Sequence, residues 1–418
     1  MNTLSSLKGV KDSSVEFDMA ALMAKRVQRT GRSASNMAAQ KARELIQSGR
    51  SVINMTAGEP DFDTPEHICA AGIEAIARGQ TRYTTVDGTP ELKQAIVDKF
   101  KRENNLSYTT KEVMVGCGAK HLIFNAFMAT VEEGDEVVIP TPCWVSYPDM
   151  TRFAGGTPVM VACCADDDFK IKPEQLERAI TTRTRWLVLN SPNNPSGSIY
   201  SAEELAALGG VLERHPHVLV MMDDIYEHLI FDGLKFATMA EAAPAIADRT
   251  LTINGVSKAY AMTGWRIGYA AGNAQLISQM SKIQTQSTSN PCSISQAASV
   301  VALNGPQNHI EIFRGRYQAR RDMVIEALNQ ISGISCRKPH GAFYVFPTCT
   351  DIIGKKTPEG TIIQDDKELV LYFLENGVAG IAGSAYGSSG HFRLSIAASD
   401  EELEEGCRRV KTAIEALR

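Results

Sequence analysis

The sequence lacks any long apolar run, and no stretch approaches the roughly 20 residues that a helix needs to cross a bilayer. Residues 1–17 lack the apolar segment of a secretion signal. A basic stripe is also missing, and the net charge of −5 argues against a nucleic-acid partner. The nine cysteines show no metal-ligand spacing. We therefore expect a cytoplasmic protein with reduced thiols and with no metal site, membrane span or nucleic-acid partner.

The order of apolar runs along the chain predicts an α/β fold. A length of 418 residues suggests two or three domains. Between about residues 65 and 300, short β-rich runs alternate with helical stretches, which is typical of a mostly parallel sheet covered by helices. The predicted strands are 112–115, 136–139, 185–189, 218–222, 251–253 and 267–271. We expect residues 65–300 to form a large domain, and residues 1–64 and 301–418 to form a smaller α+β domain.

One segment, Ser257 to Tyr269, carries the most chemical information. Lys258 lies at the end of an apolar β-rich run, where burial lowers the pKa of an amine towards the neutral form that condenses with aldehydes. Arg266, across a glycine-containing turn, offers a planar cation suited to a phosphate. An aldehyde and a phosphate together describe pyridoxal 5′-phosphate (PLP). A solvated lysine before an ordinary turn is the alternative.

Two further strand ends carry groups that suit the same cofactor. Gly116 to Lys120 follows a predicted strand and leads into a helix, where free backbone N–H groups favour a phosphate. A plain glycine-rich turn is the alternative. Asn194 follows the strand at 185–189, and its amide can donate to a phenolate oxygen. Ordinary Asn-Pro turn chemistry would explain the same residues.

Acidic and aromatic residues complete this set of strand ends. Asp223 directly follows the apolar run 218–222, so it is either a helix cap or a buried carboxylate that keeps a pyridine nitrogen protonated. Tyr226, three residues later, can reach the same ring. Trp144 follows a proline-rich link and is either a core residue or a ring that stacks on a cofactor.

Arg393 lies within an apolar strand near the C-terminus, where an unpaired guanidinium is costly. Either an internal salt bridge or a substrate carboxylate would satisfy it. Each of these signals is weak alone. Five of them at strand ends, all suited to one cofactor, make a strong case for PLP.

Beyond these groups, the sequence resembles the class I/II aminotransferases of PLP fold type I, in particular the bacterial branch of aspartate and prephenate aminotransferases. The resemblance extends from about Met19 to the C-terminus. It depends on the runs Thr56–Phe62, Ser191–Gly197, Asp224–Leu229 and Ala261–Tyr269. It implies a large domain with a mostly parallel seven-stranded sheet between helices, and a smaller α+β domain from both chain ends.

The resemblance also implies roles for individual residues. Lys258 matches the Schiff-base lysine, Asp223 the pyridinium partner, and Asn194 and Tyr226 the donors to the phenolic oxygen. Cofactor contacts are further implied for Gly118, Ala119, Lys120, Trp144, Ser257 and Arg266. Substrate contacts are implied for Gly58, Trp144, Asn194, Lys120 and Arg393, with Arg393 as the α-carboxylate clamp. Tyr83 matches a tyrosine that reaches the phosphate of a partner subunit, which implies a homodimer with shared active sites.

Departures from the family pattern affect two regions. Residues Gly31 to Ser35 stand where this branch commonly has Lys-Pro-Ser-Ala-Thr, in a region that recognises the substrate's side chain. Ser35 is therefore a candidate for substrate binding, and the sequence leaves open which group of the substrate it contacts. Gly255 replaces a serine that touches the phosphate in many relatives, so that contact is missing or moves to Ser257.

The predicted activity is ping-pong transfer of an amino group from an L-amino acid, aspartate or glutamate, to a 2-oxo acid. Lys120 is the candidate cation for a distal carboxylate. Prephenate or an aromatic amino acid as substrate, and a β-eliminating PLP lyase on the same fold, are the enzymatic alternatives. An amino-acid-sensing regulator is disfavoured, because only about 50 residues precede Gly58 and they contain no basic recognition helix.

Overall fold

A computed structural model describes residues 18–31 and 34–418, with the backbone alone at positions 21, 34–36 and 39. The α-helices, numbered in chain order, are α1 Lys25–Gln28, α2 Ala34–Gln47, α3 Glu66–Ala77, α4 Pro90–Asn104, α5 Ala119–Thr130, α6 Ser146–Ala154, α7 Pro173–Ala179, α8 Ala202–Glu213, α9 Met239–Ala242, α10 Ala274–Thr285, α11 Ser293–Asn304, α12 Asn308–Asn329, α13 Asp366–Glu375 and α14 Asp400–Glu415. No helix in this described part of the chain is both long enough and apolar enough to cross a membrane.

The strands are β1 Ile53–Asn54, β2 Val113–Gly116, β3 Glu136–Thr141, β4 Thr157–Ala162, β5 Thr184–Asn190, β6 Leu219–Asp223, β7 Thr250–Gly255, β8 Gly268–Ala271, β9 Tyr344–Val345, β10 Val378–Ala379, β11 Ile381–Ala382 and β12 Phe392–Ser395. Seven of them form one sheet in the order β2-β8-β7-β6-β5-β3-β4. Strand β8 runs antiparallel to both of its neighbours, and the other pairings within β3 to β7 are parallel. The predicted α/β fold with a mostly parallel sheet is confirmed.

The central strand β5 shows why this sheet is covered on both faces. Trp186 and Val188 belong to one apolar cluster, whereas the alternating residues Leu187 and Leu189 belong to another on the opposite face. Side chains along a strand point alternately to its two faces, so a continuously apolar run requires cover on both. The helices provide that cover, and polar side chains are left to gather where the strands end.

The two ends of the chain meet in small sheets beside the large one. Strand β1 pairs in parallel with β10, bringing Ile53 opposite Val378. Strands β11, β12 and β9 form a second, antiparallel sheet. These pairings are compatible with a smaller domain built from both chain ends, although the boundaries at 64/65 and 300/301 stay a prediction.

Candidate active site

A cavity of about 470 Å³ lies beyond the carboxyl ends of β5, β6 and β7. In open α/β sheets ligands bind at this edge, because the loops after parallel strands meet there. Most of the residues selected from the sequence line this cavity: Gly58, Ala119, Lys120, Trp144, Asn194, Asp223, Tyr226, Ser257, Lys258, Arg266 and Arg393. The fold therefore brings together residues that are up to 335 positions apart in the sequence.

Lys258 lies just after β7 with its amine inside the cavity. The pKa of this amine is lowered to about 8, mainly by burial; the charge of Glu59 acts in the opposite direction, and the charges of Arg266 and Arg393 contribute to the lowering. The Lys258 ammonium donates a hydrogen bond to the carbonyl oxygen of Gly58. A lysine with this pKa is partly neutral near pH 7, which is the state needed for attack on a carbonyl.

Two adjacent carboxylates lie at the end of β6, Asp223 as its last residue and Asp224 just after it, and they have different surroundings. Asp223 lines the cavity, accepts a hydrogen bond from the Tyr147 hydroxyl at 2.6 Å, and has a pKa raised by burial to about 6. Asp224 does not line the cavity and accepts from the Thr238 hydroxyl at 2.7 Å. Burial raises the pKa of Asp224 well above its usual value. The geometry therefore favours Asp223 as the carboxylate that meets a ligand.

The loop before α5 has the shape of an anion site. Gly118 caps this helix with φ of +87°, a backbone conformation that L side chains rarely adopt. A Cβ at Gly118 would lie 2.5 Å from Nη2 of Arg266, so the absence of a side chain lets the guanidinium approach the helix N-terminus. The carbonyl oxygens of Thr263 and Cys117 accept from Arg266 at 2.9 and 3.2 Å. Backbone N–H groups and a fixed guanidinium together suit a phosphate.

Arg393, on β12, is 3% exposed and forms no ion pair with any residue the structure describes. Its two terminal nitrogens donate to Oδ1 of Asn194 at 3.0 Å and to the carbonyl oxygen of Thr56 at 2.7 Å. Its Nε has no partner among the described residues. The internal salt bridge that the sequence left open is therefore not formed there, and a buried guanidinium without a counter-charge is a site for an anion.

Lys120 and Trp144 lie together on the cavity wall. The Lys120 ammonium is 4.7 Å from the centre of the Trp144 ring. Burial, with a smaller contribution from the charge of Arg266, lowers the pKa of Lys120. The Trp144 ring also packs edge-on against Tyr147, with 5.3 Å between ring centres. Trp144 is thus a wall of the cavity and also part of the adjacent apolar cluster.

Among the described residues, two predicted site residues, Gly118 and Tyr83, do not line the cavity; Gly118 lies next to it, as the cap of α5. The Tyr83 side chain is 91% exposed, in the connection between α3 and α4. The side chain of Ser35 lies outside the described residues. The role of Tyr83 across a subunit interface and that of Ser35 in substrate binding therefore stay predictions.

Sequence reasoning missed several residues of this site. Tyr147 bonds to Asp223, and the Tyr344 hydroxyl lies 2.9 Å from that of Tyr226. Arg43, from α2, is a further cation on the cavity wall. Neither tyrosine directly follows a strand of the large sheet, which was the signal used to select candidates. Tyr344 lies on the short buried strand β9, and an apolar pattern there does not indicate which way its hydroxyl points.

The fold and this cavity define an α/β enzyme that acts on a small, anionic molecule. The sequence profile of the family described as aminotransferase class I and II matches residues 50–410. Aspartate aminotransferase of Rhizobium meliloti (strain 1021) is 54% identical over 362 residues, which cover 86% of this chain and 88% of that protein. The aspartate/prephenate aminotransferase of Cereibacter sphaeroides is 55% identical over 356 residues, covering 85% and 89%.

Solved structures give the same result. The crystal structure of the Rhizobium meliloti aspartate aminotransferase superimposes with a TM-score of 0.93 at 51% identity, covering 95% of this chain and 99% of that one. Aspartate aminotransferase from Thermus thermophilus with maleate gives a TM-score of 0.88 at 41% identity, covering 94% and 99%. The chain belongs to the class I and II aminotransferases. It is a transaminase, from a PLP-dependent family whose substrates are amino acids and 2-oxo acids.

Proposed function

We propose that this transaminase binds PLP in the cavity at the ends of β5, β6 and β7 and uses aspartate or glutamate as its amino donor. The observation that carries the proposal is the convergence of Lys258, Asp223 and Arg393 on one cavity. These three groups match the three needs of the reaction: a covalent anchor, a counter-charge for the pyridine nitrogen and a clamp for a carboxylate.

The residues present fit the cofactor. Because Gly118 has no side chain, the Arg266 guanidinium lies close to the start of α5, so this guanidinium and the free backbone N–H groups there can both face a phosphate. Asp223 is a buried carboxylate, which suits a protonated ring nitrogen. The residues proposed to hold PLP are Lys258 as anchor, Asp223 at the nitrogen, Trp144 against the ring, Asn194 and Tyr226 at the phenolic oxygen, and Gly118, Ala119, Lys120, Ser257 and Arg266 around the phosphate.

When bound, PLP supplies an electron sink for the negative charge that develops at Cα of the substrate. The protein's own part is to move a proton and to orient the substrate. Arg393, with the Gly58 backbone beside it, holds the α-carboxylate. Lys258 as a neutral amine takes the Cα proton and returns it to the cofactor side. Asp223 in its ionised form keeps the pyridine nitrogen protonated throughout.

A dicarboxylic substrate is supported by the charge of the cavity wall. Once Arg393, Arg266 and Lys258 have been assigned, Lys120 and Arg43 are the other cations that line the cavity within the described part of the chain. Lys120 forms no ion pair within residues 18–31 and 34–418, so besides its proposed contact with the phosphate it can also meet a distal carboxylate. Relatives named for aspartate and for prephenate are compatible with this preference, since both compounds carry two carboxylates.

A homodimer with shared active sites, in the cytoplasm, completes the proposal. A tyrosine that is 91% exposed in one chain is unusual, and a partner subunit would explain Tyr83. All nine cysteines are free, as expected in a reducing compartment.

The function is tested with purified protein and PLP. Borohydride reduction should fix the cofactor on a peptide containing Lys258, and label on another lysine would overturn the assignment. A panel of amino acids, each scored for conversion of PLP to pyridoxamine phosphate, should then favour aspartate and glutamate. Ammonia and pyruvate as products would instead indicate the β-eliminating alternative. Lys120→Ser should weaken the binding of aspartate more than the binding of alanine. The difference should be roughly 1–3 kcal/mol, the range for a charge-assisted hydrogen bond.

A further inference from the structure

Tyr344 contacts two groups of the site, the Arg393 guanidinium and the Tyr226 hydroxyl. It lies on β9 next to β12, where Ser395 is its register partner. Its ring centre is 4.3 Å from the Arg393 guanidinium carbon. Its hydroxyl is 2.9 Å from the Tyr226 hydroxyl. One side chain therefore contacts both the carboxylate clamp and the residue proposed to face the cofactor's phenolic oxygen.

The contact also joins the two sheets. Strand β9 belongs to the small antiparallel sheet, whereas Tyr226 follows β6 of the seven-stranded sheet. Tyr344 is 1% exposed and lines the cavity, so its hydroxyl bonds to Tyr226 away from bulk water. A hydrogen bond in such surroundings is stronger than one in water, and neighbouring bonds polarise each other.

We propose that Tyr344 is a positioning residue that links the Arg393 guanidinium to the Tyr226 hydroxyl, so that a carboxylate bound at Arg393 alters how strongly Tyr226 donates to the cofactor. This proposal rests on the proposed PLP site. Each tyrosine hydroxyl has one proton to donate. When Tyr226 gives its proton to the phenolic oxygen of PLP, its own oxygen can accept from Tyr344, and the Tyr344 bond then makes Tyr226 a better donor.

The charge of Arg393 supports the direction of this effect. Burial raises the pKa of Tyr344, while the nearby Arg393 charge lowers it. A proton on Tyr344 is therefore easier to donate when Arg393 has no counter-charge. A bound carboxylate removes that help, so Tyr226 becomes a weaker donor. Of the other charged groups near this pair, Asp223 is the same in the variants below, and the Lys258 nitrogen belongs to the anchored cofactor that is titrated.

Tyr344→Phe is the test variant, because it removes the hydroxyl but keeps the ring against Arg393. Tyr386→Phe is its matched control. Tyr386 is also buried, and its ring centre lies 5.4 Å from the same guanidinium carbon. Its hydroxyl has no hydrogen-bond partner in the described part of the chain. The control thus removes a buried hydroxyl near Arg393 without breaking a bond to Tyr226.

The experiment titrates the visible absorbance of bound PLP against pH, with and without succinate, a dicarboxylate that has no amino group to transfer. Weaker donation from Tyr226 destabilises negative charge on the phenolic oxygen, so the cofactor should lose its proton at higher pH. In Tyr344→Phe the midpoint should rise by about half a unit, which is about 0.7 kcal/mol at 1.36 kcal/mol per unit. The further rise caused by succinate should be at most half of that in the wild type, and Tyr386→Phe should match the wild type in both respects.

Each outcome has a defined meaning. A Tyr344→Phe titration identical to the wild type, with or without succinate, overturns the link. Equal shifts in Tyr344→Phe and Tyr386→Phe also overturn it, because loss of any buried hydroxyl would then suffice. A wild-type protein that binds PLP without a borohydride-sensitive absorbance band overturns the proposed function together with this inference. Urea unfolding of each variant tests whether a shift in the titration midpoint comes from a loss of protein stability.

Discussion

Lys99→Met should destabilise the protein far more than the removal of an ordinary surface lysine. Lys99, on α4, is 0% exposed, and its ammonium pairs with the Glu227 carboxylate. It also donates to Oδ1 of Asn104 at 2.8 Å, and the Asn104 amide donates to Glu227 at 3.0 Å. Burial would raise the pKa of Glu227, but the Lys99 charge and His228 hold it below the usual value. Glu227 is therefore ionised because of Lys99.

Removing one partner of such a buried pair costs about 3–5 kcal/mol, because the remaining charge is left without compensation. We expect that loss in the free energy of unfolding of Lys99→Met, measured by urea denaturation. Replacing both partners with apolar residues of similar size is often neutral, so Lys99→Met/Glu227→Leu should recover most of the loss. Lys101→Met, at an exposed position of the same helix, should stay within about 0.5 kcal/mol of the wild type.

Two results would refute this reasoning. The first is a Lys99→Met protein within about 1 kcal/mol of the wild type, which would mean that water or another group compensates Glu227. The second is a double variant no more stable than Lys99→Met.

Glu103, Glu227 and His228 also bring ligand atoms within 4.8 Å of one another, in an arrangement that could hold a metal ion. Because the Lys99 ammonium already pairs with Glu227 and lies 3.6 Å from Glu103, added zinc should not stabilise the wild type.

Three further predictions concern the site. Asp223→Asn should bind PLP but lose most transaminase activity, measured as aspartate turnover, whereas Asp224→Asn should be the milder change. The reverse order would mean that Asp224, and not Asp223, is the functional carboxylate. The rate at which the cofactor-free protein captures PLP should increase as pH rises through about 8, since the neutral form of Lys258 is the reactive one and its pKa is lowered to about that value; a pH-independent rate would contradict this. Heterodimers of Tyr83→Ala and Lys258→Ala subunits should regain close to half of the wild-type activity if sites are shared, and little if Tyr83 serves its own subunit.

The candidate residues chosen from the sequence gather at one edge of the large sheet because of the physics of parallel strands. A buried strand must be apolar, so a polar residue immediately after it, such as Asp223 or Lys258, stands out against the run before it. Parallel strands also end at the same edge of the sheet. Position in the sequence then implies proximity in space without any need to know the contacts.

Other parts of the fold did not follow from such patterns. Strand β4 was not predicted: it lies at the sheet edge, is only partly buried and contains Pro158. The antiparallel direction of β8 depends on how the chain turns after Lys258, which composition does not reveal. Tyr147 and Tyr344 act on other side chains, and their partners lie 76 and 118 residues away in the sequence. Only the folded chain brings these pairs together.

The charge of the cavity gives the strongest physical argument for a substrate with two carboxylates. Among the residues that the structure describes, five cations line it, namely Arg43, Lys120, Lys258, Arg266 and Arg393, against two carboxylates, Glu59 and Asp223. The whole chain nevertheless carries a net charge of −5, so this positive field is local. A phosphate of roughly two negative charges offsets part of the excess. In the proposed site Arg266 and Lys120 face the phosphate and Arg393 holds the α-carboxylate, so Arg43 has no assigned partner and Lys120 has only a shared one. A second carboxylate can pair with either cation, and on that ground we expect aspartate and glutamate to be favoured over alanine.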